Sequence, residues 1–218
     1  IDMSTSNNTI SHNIIIENDR VGIDLKGSFN NIISNIITNH TYAAIDIAYY
    51  GNNTIYDNSI TSNGWYGIVL RDGSCNNAVA GNTIILSQFA GMHLYHSKNN
   101  VIFHNNFINN TLQVKIGPPP PPDYELVSIW DDGYPSGGNY WSDYVGVDVR
   151  SGPSQDLPGS DGIGDTPYVI DAANVDHYPL MNPYEAPPPA EIYDIAIVSV
   201  VPSATEVYIG QVVNITVT

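Results

Sequence analysis

Apolar residues in the first half of the chain come in bursts of two or three that alternate with polar ones, and the bursts recur at a nearly fixed distance. Asn-Asn pairs or Asn-led equivalents start at Asn7, Asn30, Asn52, Asn76 and Asn99, at spacings of 23, 22, 24 and 23. Two residues after each pair stands an apolar residue: Ile10, Ile33, Ile55, Val79 and Ile102. A further Asn follows at Asn13, Asn35, Asn58, Asn82 and Asn105, with Ile15, Ile37, Ile60, Ile84 and Phe107 two places on. Nine residues after that Asn, a small residue opens an alternating stretch, as in Gly22-Ile23-Asp24-Leu25, Ala44-Ile45-Asp46-Ile47, Gly67-Ile68-Val69-Leu70 and Gly91-Met92-His93-Leu94.

Such short period-two stretches predict strands, and no helical period runs long enough to compete. One unit cannot bury its own apolar face. Stacking the next unit about 4.8 Å away sets Ile on Ile and pairs each strand with its successor. The Asn columns can then form amide ladders, and Asn suits left-handed corners. The expected fold is all-β, a right-handed parallel β-helix of about five coils over residues 1–116. A β-propeller would need about 40 residues per blade.

Charge divides the rest. The formal net charge of −16 splits into −2 over residues 1–116, −11 over 117–185 and −3 over 186–218, with proline runs at Pro118 to Pro122 and Pro187 to Pro189. The middle segment carries Trp130, Tyr134, Tyr140, Trp141, Tyr144, Tyr168 and Tyr178, which we expect to form an acidic, aromatic C-terminal cap over the last coil rather than a sugar-stacking platform. So acidic a chain repels nucleic acid and anionic membrane surfaces. No apolar run approaches the roughly 18 residues that span a bilayer, and the residues after Ile1 do not form a signal peptide, so the signal that addressed the chain is expected to lie outside it. Cys75 is alone in the sequence, so neither a disulfide nor a thiolate metal site can form within one chain; we read it as a turn residue.

The run NNTIYDNSITSNGWYGIVL at residues 52–70 resembles the NosD-type β-helix repeats, also called carbohydrate-binding and sugar-hydrolase repeats, common in archaeal surface proteins. The stretch GGNYWSDYVGVDV, with SDGIGDTPYVID and HYPLM, is similar to the segment that ends such β-helices. The resemblance covers residues 1 to about 183 and implies a secreted, cell-surface location more strongly than an activity. It also implies a calcium loop before GIGDTPY. Asp156, Asp161, the Ile163 carbonyl and Asp165 would supply the oxygen ligands, with Gly162 for the turn, although an insertion separates Asp156 from Asp161. Residues 194–218 resemble the first two strands of a CARDB-like immunoglobulin-like domain. Two strands cannot close a sandwich. Either the chain is an excerpt of a longer surface protein, or strands near Ile195–Val200 and Val212–Val217 pair with a neighbouring subunit.

Candidate chemistry lies on the outward face of the GIxL strands. Ile and Leu point inward there, so the residue between them points outward. One outward column reads Asp2, Asp24, Asp46, Val69, His93, and the next reads Ser4, Lys26, Ala48, Arg71, Tyr95. Asp24, Asp46, Lys26, Arg71 and His93 form the candidate site, against the plainer reading of a solvated face with compensating charges. The other histidines show no metal-ligand spacing, and copper handling of the NosD kind would need Cys, Met or His clusters that the sequence lacks. Glycan acceptor sequons stand at Asn7, Asn39, Asn52, Asn109 and Asn214. The expected function is that of a non-catalytic structural or adhesive surface protein, of surface-layer, sheath or filament type, contacting its own copies, neighbouring surface proteins or glycans. The rival is a carbohydrate-binding module or polysaccharide lyase or hydrolase working through the outward face.

Overall fold

The computed structural model describes residues 1–117, 126–185, 200–202 and 215–217. Two compact units divide the chain, Ile1–Ala186 and Pro187–Thr218. The first contains three stacks of parallel strands. The long sheet comprises β1 (Asp2–Met3), β4 (Val21–Leu25), β7 (Ala43–Ala48), β10 (Tyr66–Arg71), β13 (Ala90–Tyr95) and β16 (Leu112–Ile116). The second sheet comprises β2 (Thr9–Ser11), β5 (Asn31–Ile33), β8 (Thr54–Tyr56), β11 (Ala78–Ala80) and β14 (Val101–Phe103). The third comprises β3 (Ile14–Ile16), β6 (Ile36–Thr38), β9 (Ser59–Thr61), β12 (Thr83–Ile85), β15 (Asn106–Ile108) and β17 (Tyr140–Trp141). Each strand pairs with the strand three later in sequence through most of the stack, giving the expected β-helix of about five coils, right-handed like other parallel crossovers.

The inward columns are the apolar ones of the repeat. Ile23, Ile45, Ile68 and Met92 stack in register, as do Ile15, Ile37, Ile60, Ile84 and Phe107, and all but Ile15 are fully buried. In one respect the repeat is phased differently from the sequence reading. Asn8, not Asn7, aligns with Asn30, so the second coil is shifted by one residue, and Ile32 rather than Ile33 occupies the core. The ladder is therefore Asn8, Asn30, Asn53, Asn77 and Asn100, buried from Asn30 onward, each Nδ2 donating to the next Oδ1 at 3.0–3.2 Å. The Asn13, Asn35, Asn58, Asn82 and Asn105 ladder runs as expected, at 2.9–3.0 Å.

Small residues mark the entry to the long sheet because neighbouring coils and the core crowd the position. A Cβ at Gly67 would lie 2.5 Å from both the Gly91 carbonyl oxygen and Ile84 Cγ2.

The segment after the proline run caps the last coil. Ile129 bridges Val101 and β17 pairs with β15, adding part of a further turn to two of the three sheets. Trp141 stacks on Phe107 (4.6 Å between centroids) and Tyr168 stacks on Trp141 (4.2 Å), so aromatic rings extend the core column past its last aliphatic residue. Trp130 and Trp141 are each 1% exposed, which makes them cap residues rather than a sugar platform. Short antiparallel pairs complete this segment: β18 (Arg150–Ser151) with β19 (Leu157–Pro158), and β20 (Tyr168–Val169) with β21 (Val175–Asp176). In the second unit, β22 (Val200–Pro202) pairs antiparallel with β23 (Ile215–Val217). The remainder of the expected immunoglobulin-like segment lies outside the described residues, as does the Asn214 sequon. No helix among the described residues is long and apolar enough to cross a membrane.

Candidate functional site

The long sheet presents the two outward columns foreseen from the sequence. Asp2, Asp24, Asp46, Val69, His93 and Lys115 stand in one register, and Arg71 is flanked by Ala48 and Tyr95 in the next. Asp46 is 1% exposed and accepts a hydrogen bond from Arg71 Nε at 2.8 Å. Arg71 Nη1 donates to Asp72 Oδ2 at 2.7 Å. The guanidinium is thus clamped between two carboxylates. Burial pushes the Asp46 carboxyl above the usual carboxylate range, and Arg71 offsets this only in part. Lys26 Nζ donates to Asp24 Oδ2 at 3.2 Å and lies 3.9 Å from Asp2 Oδ1; the Asp24 contact raises its pKa. His93 is held down to about 4, first by burial and then by the neighbouring Lys115 charge, so its imidazole is neutral at physiological pH.

All five site residues named from the sequence therefore share one face. Arg71 and His93 line a single groove of about 360 Å³ with Arg20, Tyr42, Val69, Asp72 and Tyr95. Asp46 lies beneath it in the grip of Arg71, while Lys26 and Asp24 form a separate pair further along the columns. Two polar atoms of this face, Asp24 Oδ1 and His93 Nδ1, are buried without a hydrogen-bond partner among the described residues.

The sequence reading missed an aromatic column that begins at the groove wall with Tyr42 and continues beyond it. Backbone bonds from Tyr42 N to the Arg20 carbonyl, Trp65 N to Tyr42 and Phe89 N to Trp65 place these four side chains in one column, one per coil. Tyr66, next to Trp65, stacks on His93 at 4.8 Å and is met edge-on by Tyr42 and Phe89, each at 5.5 Å. Trp65 lies 5.9 Å from Phe89 and is 53% exposed. The signal was available: Arg20, Tyr42, Trp65 and Phe89 each stand two residues before the small residue of their coil.

The calcium ligands do not converge in this way. Asp165 Oδ1 accepts from the Val149 and Arg150 amides, and Asp161 accepts from the Gly152 and Ile163 amides and from Gln155 Nε2. Asp148 accepts from the Asp161 and Gly162 amides. Asp156 is exposed, and its carbonyl accepts from Arg150 Nη1 at 3.4 Å. These carboxylates already hold the loop together by binding N–H groups, whereas a cation cage needs oxygens turned inward. Among the described residues no group of three or more His, Cys, Asp or Glu could hold a metal ion. A cluster of Ser136, His104 and Asp132 also lacks nucleophile geometry, because the Ser136 hydroxyl donates to Asp132 Oδ2 at 2.7 Å and only approaches His104 Nε2 at 3.3 Å. Cys75 is half-buried, and its Sγ accepts from the Lys98 amide, as a turn residue would. The four described sequon residues, Asn7, Asn39, Asn52 and Asn109, are all exposed at corners.

Residues 2–146 match the family model described as periplasmic copper-binding protein (NosD). The residues present do not fit a copper centre: Met92 is buried in the core, Cys75 Sγ accepts from the Lys98 amide, and among the described residues no group of three or more His, Cys, Asp or Glu could hold a metal ion. Among solved structures, the chain is similar to the periplasmic alginate epimerase AlgG, at 26% identity and a TM-score of 0.49, over 51% of this chain and 28% of that one. The similarity thus spans little more than a quarter of that protein's length. No curated protein matches.

Proposed function

The chain belongs to the NosD family, and from that premise we propose that it is a non-catalytic, extracytoplasmic binding element that holds a polysaccharide along the outward face of its long sheet. The observation that carries this is the ladder of Tyr42, Trp65 and Phe89, one aromatic per coil, beside a groove lined by Arg71, Asp72 and Tyr95. Aromatic faces stack on the C–H faces of sugar rings, and charged groups opposite them bond the hydroxyls. The ladder steps by about 4.8 Å, a length of the same order as one sugar ring, so a polymer lying along the coil axis meets repeated contacts.

Binding fits the geometry better than chemistry. Arg71 is fixed by two carboxylates, Asp46 is committed to Arg71, and the His93 ring lies against Tyr66 with Nδ1 buried. A general acid or base must reach the substrate's proton. An adhesive surface role is consistent with this reading, and the four exposed sequons at corners support a glycosylated, outward-facing protein.

Affinity electrophoresis against a panel of acidic and neutral polysaccharides tests the proposal. At least one polymer is expected to retard the protein, and Trp65→Ala should lose the retardation while keeping its melting temperature. Failure of every polymer, or undiminished retardation of Trp65→Ala, would overturn it. No new reducing ends and no unsaturated uronate absorbance are expected in the same mixtures; their appearance, with loss in Asp46→Ala, would favour an enzyme instead.

A further inference from the structure

Four of the six basic side chains in a sequence of formal charge −16, Arg20, Lys26, Arg71 and Lys115, stand along this one sheet. Two of them are neutralised locally, Lys26 by Asp24 and Asp2, and Arg71 by Asp46 and Asp72. Arg20 and Lys115 have no ion pair among the described residues. The Arg20 guanidinium lies 5.8 Å from the Tyr42 ring centroid on the groove wall, and Lys115 is in register with His93 one coil beyond it.

A neutral polymer covering this face would strip water from both unpaired cations and give no charge in return, which costs free energy. An acidic polymer would supply the missing partner. Arg71 adds to this, because two carboxylates hold Nε and Nη1, Nη2 has no hydrogen bond among the described residues, and the clamp fixes the plane in which it donates. We infer that the groove takes an acidic polysaccharide, with one acid group between Arg20 and Arg71 and the chain running toward Lys115. This rests on the glycan reading above and narrows it to anionic polymers, whose charge could come from uronate carboxylates or sulfate esters.

Isothermal titration of the full chain with polygalacturonate, with the same polymer after reduction of its carboxyls to neutral hydroxymethyl groups, and with a sulfated galactan tests the inference. At least one charged polymer should bind, with affinity falling as salt rises. The reduced polymer should bind at least about tenfold more weakly than a binding charged one, and Arg20→Gln should weaken that charged polymer by about tenfold. Arg20 is exposed, so this variant keeps the core intact, whereas replacing Arg71 would leave Asp46 buried and unpaired. Binding of the sulfated polymer alone supports the inference and identifies the acid as a sulfate ester. Equal binding of reduced and charged polymers, abolished by Trp65→Ala, overturns the charge inference and leaves the glycan reading standing. No binding by any polymer overturns both.

Discussion

At single positions, the corners explain most of the unusual residues. Three columns adopt left-handed backbone in every coil: Asn7, Phe29, Asn52, Asn76 and Asn99; His12, Ser34, Asp57, Gly81 and His104; and Glu17, Asn39, Ser62, Leu86 and Asn109. Their φ values lie between 52° and 68°. Asn and Gly tolerate this region, and other residues pay for it. Phe29 and Leu86 hold such positions with exposed side chains that recover little by packing. Leu86→Asn is therefore expected to raise stability by about 0.5–1 kcal/mol, read as a shift in the denaturant midpoint; an unchanged or lowered midpoint would show that the corner strain is absent. The same corners explain the misphased second coil. An Asn-Asn pair serves two purposes, a left-handed corner first and a buried ladder rung second, and where Phe29 replaced the first Asn the visible Asn30-Asn31 pair pointed to the wrong rung.

Among elements, the ladders determine how the helix ends. Along the Asn13 ladder each side-chain amide donates to the Oδ1 of the Asn one coil further on, through Asn105 to Asn139 at 3.0 Å, and from Asn35 onward it also donates to a backbone carbonyl of the coil before. The series stops at Asp176 in β21. Its Oδ2 accepts from Asn139 N at 2.7 Å and Trp141 Nε1 at 2.9 Å, and its Oδ1 accepts from Tyr178 N at 3.1 Å. An acceptor with no hydrogen of its own is what the last donor in such a series requires. Burial nevertheless pushes the Asp176 carboxyl up to about 7 against the pull of these donors. A carboxyl that releases its proton near 3.8 when unfolded and near 7 when folded favours the folded state fully below about 4, and that favour is lost as pH rises through about 7. Asp176→Asn, which cannot titrate, should flatten the melting temperature across that window relative to the parent; parallel curves would mean that Asp176 stays ionised in the fold. No sequence pattern disclosed this residue, because the cap has no repeat from which to infer its inward positions. The outward Asp and His columns were legible because strict alternation beside a known inward pair fixes direction. The Tyr42, Trp65 and Phe89 column precedes the strands, where alternation gives no direction, and it became visible only through the backbone pairing.

Over the whole first unit, a regular apolar stack closed by aromatic rings serves as a rigid support for one chemically distinct face. Acidity dominates the cap, while the long sheet gathers most of the cations, and the groove lies where Arg20 and Arg71 meet the half-buried rings of Tyr42 and Tyr95. The β-helix, its coil number and the aromatic cap could all be read from the sequence because repetition multiplies a weak local pattern into a strong one. The calcium loop could not be tested that way, since an acidic turn reads the same whether its oxygens face a cation or its own backbone amides. The three tryptophans now divide cleanly: Trp130 and Trp141 are buried in the cap, and Trp65 stands exposed one coil from Tyr42, which lines the groove. Acrylamide quenching of tryptophan fluorescence, with and without a saturating polysaccharide, therefore probes the proposed face directly. One quenchable population, absent in Trp65→Phe, should become protected when the polymer binds. Unchanged quenching of Trp65 while the polymer is demonstrably bound would place the ligand elsewhere and contradict the groove as the binding surface.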